Sequence, residues 1–263
     1  MATMRVILLV VVFLGMHLVV LARVGTAANE PGESNWTEVA REANVAYQEH
    51  KFEAAAKLYG AALKAPGIDS QPAGTTIDLL ANQAECLAKS KDFVAAGSCL
   101  TKCNEMLESN KLDGDPVAIR VLNRRDLLKI RRGDRPGACV DIRLQRLRIA
   151  EKLFGERAEL VHSYLLPAVE SLLDARHYGD AIVMGTHGLK LLEGAELRLA
   201  PMYRVELTYR LAMAYAAFGR GKEADECYQQ TISYLRNSAG GDKYLPDCLE
   251  QYEQVKKVAR EQK

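Results

Sequence analysis

Apolar residues recur along most of this chain with a helical period, and short polar breaks cut the pattern into pairs. In residues 42–65, EANVAYQEHKFEAAAKLYGAALKA, the side chains of Ala43, Ala46 and Tyr47 fall at helical spacing before His50 and Lys51 interrupt them. A second run opens at Phe52, with Ala55, Leu58, Tyr59 and Ala62 on one side. The pattern predicts two short antiparallel helices, neither of which buries its apolar stripe alone. The unit recurs: Ala55 has counterparts at Ala96, Ala138, Ala181 and Ala224, at steps of 41, 42, 43 and 43 residues. Three residues before them stand Phe52, Phe93, Arg135, Tyr178 and Gly221, so an aromatic side chain packs the turn in three copies of the five. No stretch alternates with period two over four or more residues, so no strand is expected.

Punctuation divides the array into five helix pairs. Ala65-Pro66-Gly67 closes the first, because proline cannot continue a helix and glycine accepts the left-handed turn. The second pair is predicted over 76–90 and 92–109, with Asp92 capping its second helix. Asp115 caps the third pair ahead of Pro116, which suits a first helical position, and its helices are predicted over 116–132 and 136–154. The fourth pair covers 156–176 and 178–193, with Pro167 expected to kink its first helix or delay its start. The fifth covers 200–218 and 222–236. A last helix over 245–260 places Leu249, Tyr252 and Val255 on one face and charge on the other, as a terminal cap requires.

The first residues differ in kind. Residues 6–22 are almost wholly apolar, preceded by Arg5 and followed by the small residues Gly25, Thr26, Ala27 and Ala28. Residues 1–28 are expected to be a secretory signal peptide cleaved after Ala27 or Ala28. The alternative is an uncleaved membrane anchor, against which stand a 17-residue run and His17 inside it, since a bilayer core needs about 20 residues. A polar spacer over 29–35 follows, then the array over 36–237 and a loop with the capping helix over 238–263. Asn35-Trp36-Thr37 is an N-glycosylation sequon at Asn35, and equally a pair of good helix caps.

With small residues where helices cross and bulky ones between them, the chain resembles the tetratricopeptide (TPR) repeat. The matching residues are Ala43, Tyr47, Phe52, Ala55, Tyr59 and Ala62 in the first copy, Ala84, Leu87, Phe93, Ala96 and Leu100 in the second, and Ala212, Tyr215, Gly219, Ala224 and Tyr228 in the fifth. The usual period is about 34 residues; the longer one here is similar to that of kinesin light chains. The resemblance implies an all-α, right-handed α-α superhelix of five helix pairs plus the capping helix, with a concave surface lined by the first helix of each pair. It also implies a candidate site. Asn44, Asn82, Arg120 and Arg124 resemble the carboxylate clamp of co-chaperone TPR domains, in which amides and cations hold a peptide terminus. The clamp's lysine is missing, because Ala40 stands at its position. Asparagine at such positions also serves structural ends, and the arginine run from Arg120 to Arg135 also reads as a solvated face.

Composition narrows the function further. The chain has 263 residues, is 48% hydrophobic and 26% charged, and carries a net charge of +1, so no field recruits nucleic acid. Six cysteines in an exported chain permit bridges between Cys86 and Cys103 (or Cys99) and between Cys227 and Cys248, the alternative being small buried thiols. Cys99 and Cys103 lack a histidine that completes a metal set, and no phosphate loop or nucleophile-base signature occurs, so neither metal, cofactor nor catalysis is expected. Gly185, Thr186, His187 and Gly188 are read as a site of close helix approach. The expected function is a protein-protein interaction scaffold that binds a peptide or protein in its concave groove. The alternative is a structural, self-associating subunit of an envelope or secretory assembly. Membrane contact is expected only through the N-terminal segment if it stays uncleaved, and the oligomeric state is left open.

Overall fold

The computed structural model describes residues 35–155, 158–193, 200–237 and 245–261. The predicted leader, most of the spacer and the loop over 238–244 lie outside the described residues, as does the side chain of Asn35. The first hairpin pairs α1 (Asn35–Gln48) with α2 (Phe52–Ala62), and the second pairs α3 (Ala73–Lys89) with α4 (Phe93–Ser109). In the third, α5 (Pro116–Arg131) is followed by a short 3-10 turn (Pro136–Cys139) and α6 (Val140–Phe154). The fourth joins α7 (Ala158–Asp174) to α8 (Tyr178–Leu191), the fifth α9 (Ala200–Ala217) to α10 (Gly221–Asn237), and α11 (Leu245–Glu261) closes the array. Among the described residues there is no strand. The caps fall where the sequence places them: Asp92 accepts from the Ala95 N–H and Asp115 from the Val117 N–H, both at 3.0 Å.

One turn is used five times. Each first helix ends on a residue with positive φ, namely His50 (+61°), Lys91 (+69°), Gly133 (+86°), Arg176 (+63°) and Gly219 (+84°). The next N–H then reaches back to the helix's last free carbonyls: Lys51 to Ala46, Asp92 to Leu87, Asp134 to Lys129, His177 to Leu172 and Arg220 to Tyr215, at 2.8–3.0 Å. This is the Schellman closure, which satisfies carbonyls that a helix end leaves open and reverses the chain. Three of the five carry a side chain where glycine avoids a strain of roughly 1–2 kcal/mol.

The small residue after each turn is the packing point. Ala55, Ala96, Ala181 and Ala224 are all at 0% exposure, as their spacing predicts. In the third hairpin the prediction fails by one residue, because Ala138 is exposed and Cys139 is the residue at 0%. The turn there holds one extra residue: the segment starts at Pro136, and Ala138 N–H bonds the Arg135 carbonyl in a 3-10 step. Elsewhere the small residue bonds the carbonyl four before it, as Ala55 does with Lys51. Pro136 has no N–H and a fixed φ, so it starts the segment and shifts the phase.

Every helix packs on the next along the chain, and first helices also meet directly, α3 with α5 and α7 with α9. The first helices stitch the core together. On α3, Leu79 and Cys86 enter the first hairpin's core while Ile77, Ala81 and Ala84 enter the central one. Ala212 of α9 enters the terminal core, whereas Leu207 and Leu211 enter the central one. Close approach at α8 is confirmed: a Cβ on Gly188 would lie 2.7 Å from both Leu165 and Leu207. The ends are polar, with Glu38, Glu42 and Gln48 exposed on α1 and Glu250, Glu253 and Lys257 on α11.

The middle of the array departs from an apolar core. Asp126 of α5 accepts from Arg143 Nε at 3.0 Å and from Arg146 Nη1 at 3.4 Å, and all three are buried. Arg146 also donates to Asn123 (2.7 Å) and lies 5.3 Å over the Tyr164 ring, while Arg143 reaches the Pro167 carbonyl at 3.0 Å. Pro167 lies inside its helix, as the sequence placed it, and the start is not delayed to it, since α7 runs from Ala158 to Asp174.

The six cysteines are free thiols in this structure, so neither expected bridge is formed. Cys86 of α3 belongs to the first hairpin's core, but Cys103 of α4 belongs to the central one and donates to the Ile77 carbonyl at 3.6 Å, so the two thiols face different cores. Cys248 lies in the terminal core, with Cys227 half-buried against it. Burial pushes the Cys86 and Cys103 thiols up to about 12 and those of Cys139, Cys227 and Cys248 to about 11, which keeps them protonated and unreactive.

His162 of α7 is 1% exposed, has no partner for either ring nitrogen, and sits 4.2 Å from the Tyr203 ring of α9. Burial lowers it from 6.5 to about 4. The folded state therefore binds fewer protons than the unfolded state between those values, so stability is complete above pH 6.5 and falls as pH drops toward 4. His162→Phe should flatten this part of the profile, gaining roughly 3 kcal/mol over the parent at the acid end. Urea denaturation of both proteins at pH 7.5 and pH 4.5 checks this, and a parallel loss in the two would contradict it.

Candidate functional site

The first helices share one row of positions, polar at most of them. Counted back from each left-handed turn residue, positions two, six, nine and thirteen residues earlier recur on all five helices. On α3 these are Lys89, Glu85, Asn82 and Asp78; on α5, Arg131, Leu127, Arg124 and Arg120; on α9, Ala217, Met213, Arg210 and Glu206. Their spacing of four, three and four residues holds them on one side of a helix. Where first helices pack directly, α3 on α5 and α7 on α9, the rows lie side by side, and we refer to this face as the inner surface of the array.

Ion pairs run across this surface from one helix to the next. Arg120 forms a two-pronged pair with Asp78, both bonds at 2.7 Å. Arg124 Nε lies 2.7 Å from Glu85, and Arg210 lies 2.5 Å from Glu170 of α7. The last two use the same places in the repeat: a glutamate six before the turn meets an arginine nine before the following turn. Asn44 and Asn82 hold these same two places on α1 and α3.

The residues expected to read a peptide terminus are therefore placed on the inner surface, but with partners of their own. Arg120 and Arg124 are held by Asp78 and Glu85, and the Asn44 Oδ1 accepts from the Tyr59 hydroxyl at 2.6 Å. Asn82 is half-buried beside them. Arg120 and Arg124 thus link the third hairpin to the second, whereas Asn44 is tied within the first.

The hub of these links was missed by the sequence. Glu85, at 9% side-chain exposure, receives the Tyr47 hydroxyl at 2.5 Å, pairs with Lys89 at 3.5 Å and holds Arg124. Lys89 donates to the Tyr47 oxygen and lies 4.1 Å over its ring and 4.8 Å from that of Phe52. Burial, and then the Glu85 charge, raise the Tyr47 hydroxyl far above its ordinary value and keep it a donor. The repeated Glu/Arg offset, Glu85 with Arg124 and Glu170 with Arg210, was the available signal.

At the other end of the row, Glu206 is pushed up to about 7 from 4.5, first by burial and then by Glu170, against the pull of Arg210. One of its oxygens is buried without a partner. Its raised value means that its contribution to stability is complete below pH 4.5 and lost as pH rises through 7.

No protein-family model matches the sequence, and no curated protein sequence matches it. Solved structures do. BtubC (BKLC) from P. vanneervenii aligns with a TM-score of 0.59 at 17% identity, over 74% of this chain and 78% of that one. A putative kinesin light chain with nearly identical TPR-like repeats from P. anserina aligns at 0.59 and 13% identity, over 80% and 98%. A signal-transduction ATPase with a tetratricopeptide repeat sensor from Pyrococcus horikoshii aligns at 0.57 and 18% identity, over 81% of this chain but 31% of that protein. At these identities the likeness is one of fold, and the fold is a TPR-like α-α solenoid.

The two kinds of lateral pair should differ in worth. Removing the charge of Glu85 (Glu85→Gln) leaves Arg124 and Lys89, at 18% and 20% exposure, without their shared carboxylate, at a cost of about 3 kcal/mol. Asp78→Asn breaks a pair that is about 40% exposed on both sides and should cost under about 1 kcal/mol. Chemical denaturation of the two variants measures the contrast, and equal losses would refute the hub.

Proposed function

We propose that this chain is an exported protein-interaction scaffold that holds a peptide segment or a protein partner along the inner surface of its helix array. The observation that carries this reading is the row of half-buried polar side chains on adjacent first helices, linked helix to helix by Asp78 with Arg120, Glu85 with Arg124 and Glu170 with Arg210. Such a surface is set before any partner arrives, so little ordering is lost on binding. Its likeness in fold to TPR-like repeats supports the same class of role and nothing finer. Export rests on the apolar run over 6–22 and the small residues after it.

The second reading, a self-associating structural subunit, is less favoured by the polar outer faces of α1 and α11. Stacking copies end to end would bury Glu38 and Glu42 against Glu250 and Glu253, which is costly for like charges.

A photo-reactive residue placed at Asn82, on the inner surface, should cross-link the partner in the native compartment, whereas one at the exposed Thr101 of α4 should not. Mass spectrometry of the adduct reads the partner and also an N-terminus beginning after Ala27 or Ala28. Light scattering of the recovered chain should give the mass of one copy. Cross-linking only from Thr101, or a large assembly of this chain alone, would overturn the reading.

A further inference from the structure

The inner surface is not evenly balanced: at the row positions α5 carries three arginines, whereas α7 carries the carboxylates Glu170 and Asp174. Thirteen residues before the turn, α3 and α5 present opposite charges, and Asp78 meets Arg120 at 2.7 Å. Two residues before the turn, the same two helices present Lys89 and Arg131, which carry the same charge. Glu85 is the carboxylate paired with Lys89 there, and it also serves Arg124. Burial first, and then the neighbouring Arg131 charge, hold the Lys89 ammonium below its usual value, against the pull of Glu85.

The excess continues around the turns. Residues 124–135 carry six cations against two carboxylates, a net +4 in a chain whose total is +1. Arg131, Arg132 and Arg135 are exposed at the third turn, and Lys91 is exposed at the second, with no ion pair to any of them among the described residues. Lys91 stands at φ +69°, where the third turn uses glycine. Helix dipoles do not call for this charge, because each turn sets the negative end of one helix beside the positive end of the next.

We propose that the turn-side end of the inner surface, formed by Lys91, Arg131 and Arg132 beside the Glu85-bound Lys89, captures an acidic segment of the protein partner. This rests on the scaffold reading above and adds the chemistry of what is held. Carboxylates on an extended segment lying along the inner surface reach both turns, where the Arg131 and Arg132 guanidinium groups bind in a planar, two-pronged way and the Lys91 ammonium acts as a point charge. Nucleic acid fits less well: surfaces for single strands interleave cations with free aromatic rings, and here the Tyr47 and Phe52 rings are half-buried under Lys89. The chain as a whole also supplies no steering field for a polyanion.

The test is fluorescence anisotropy of a labelled octaglutamate peptide with the full chain and with the double variant Arg131→Glu, Arg132→Glu. Both positions are exposed, so circular dichroism should show an unchanged fold. Saturable binding is expected at low salt, with a loss of about tenfold or more in the variant and in high salt. Octaglutamine should not bind. Absence of saturable octaglutamate binding, or equal binding by the double variant, would overturn the proposal. So would tighter binding of single-stranded DNA or of phosphatidylserine vesicles, which would assign the cations to phosphate. If the Asn82 cross-link to the natural partner persists in the double variant while octaglutamate fails to bind, the acidic segment is wrong and the scaffold stands.

Discussion

No hairpin in this chain can hide its own apolar stripe, and the whole structure follows from that. Each needs the first helix of the next hairpin as a lid, and the contact is tight because the residue at its centre is small and fully buried in all five copies. The Schellman turn sets the angle at which each pair closes, and it is made five times with the same backbone bonds. His50, Lys91 and Arg176 accept a left-handed backbone to make it, so the turn geometry prevails over the preference of the individual residue. Stability in such an array is a sum over neighbours, and polar outer faces on α1 and α11 end it.

The inner surface depends on the same stacking. Bringing first helices side by side puts equivalent positions next to one another, so a glutamate on one and an arginine on the next meet without further design. Glu85 with Arg124 and Glu170 with Arg210 are two uses of that rule. Where it lapses, something else happens. Between α5 and α7 the equivalent places hold Leu127 and Pro167, and the hairpins are instead joined through Arg143 and the Pro167 carbonyl. Between Lys89 and Arg131 the charges are alike, and while Glu85 answers Lys89, Arg131 has no ion pair among the described residues. Links already made are structure; charges left over are where a partner has something to gain.

The fold was legible because alanine recurs where helices must touch, and four of the five alanines are the buried residues. The third was misplaced for a physical reason. Cysteine is as small as alanine's role requires, and Pro136 starts the segment one residue later than its repeat, so Ala138 took the place that belongs to Cys139. Pro167 was expected inside its helix, with a kink or a delayed start; α7 runs through it from Ala158 to Asp174, so the start is not delayed, and its carbonyl is taken by Arg143 and Ser171. The site was less legible. Asn44, Asn82, Arg120 and Arg124 fall at recurring positions of the first helices, but their offsets along the chain say nothing of the side chains opposite. Asp78, Glu85 and Tyr59, which engage three of the four, lie 15 to 42 residues away.

The phase of the third hairpin tests the stacking most directly, because two adjacent residues carry opposite expectations. Chemical denaturation should be measured for Ala138→Leu and for Cys139→Leu. A leucine at the exposed Ala138 should leave stability within about 0.5 kcal/mol of the parent. A leucine at Cys139, which is 0% exposed, should overpack the hairpin contact and cost roughly 1–3 kcal/mol. The reverse order, with Ala138→Leu the damaging change, would contradict the register on which the array is built.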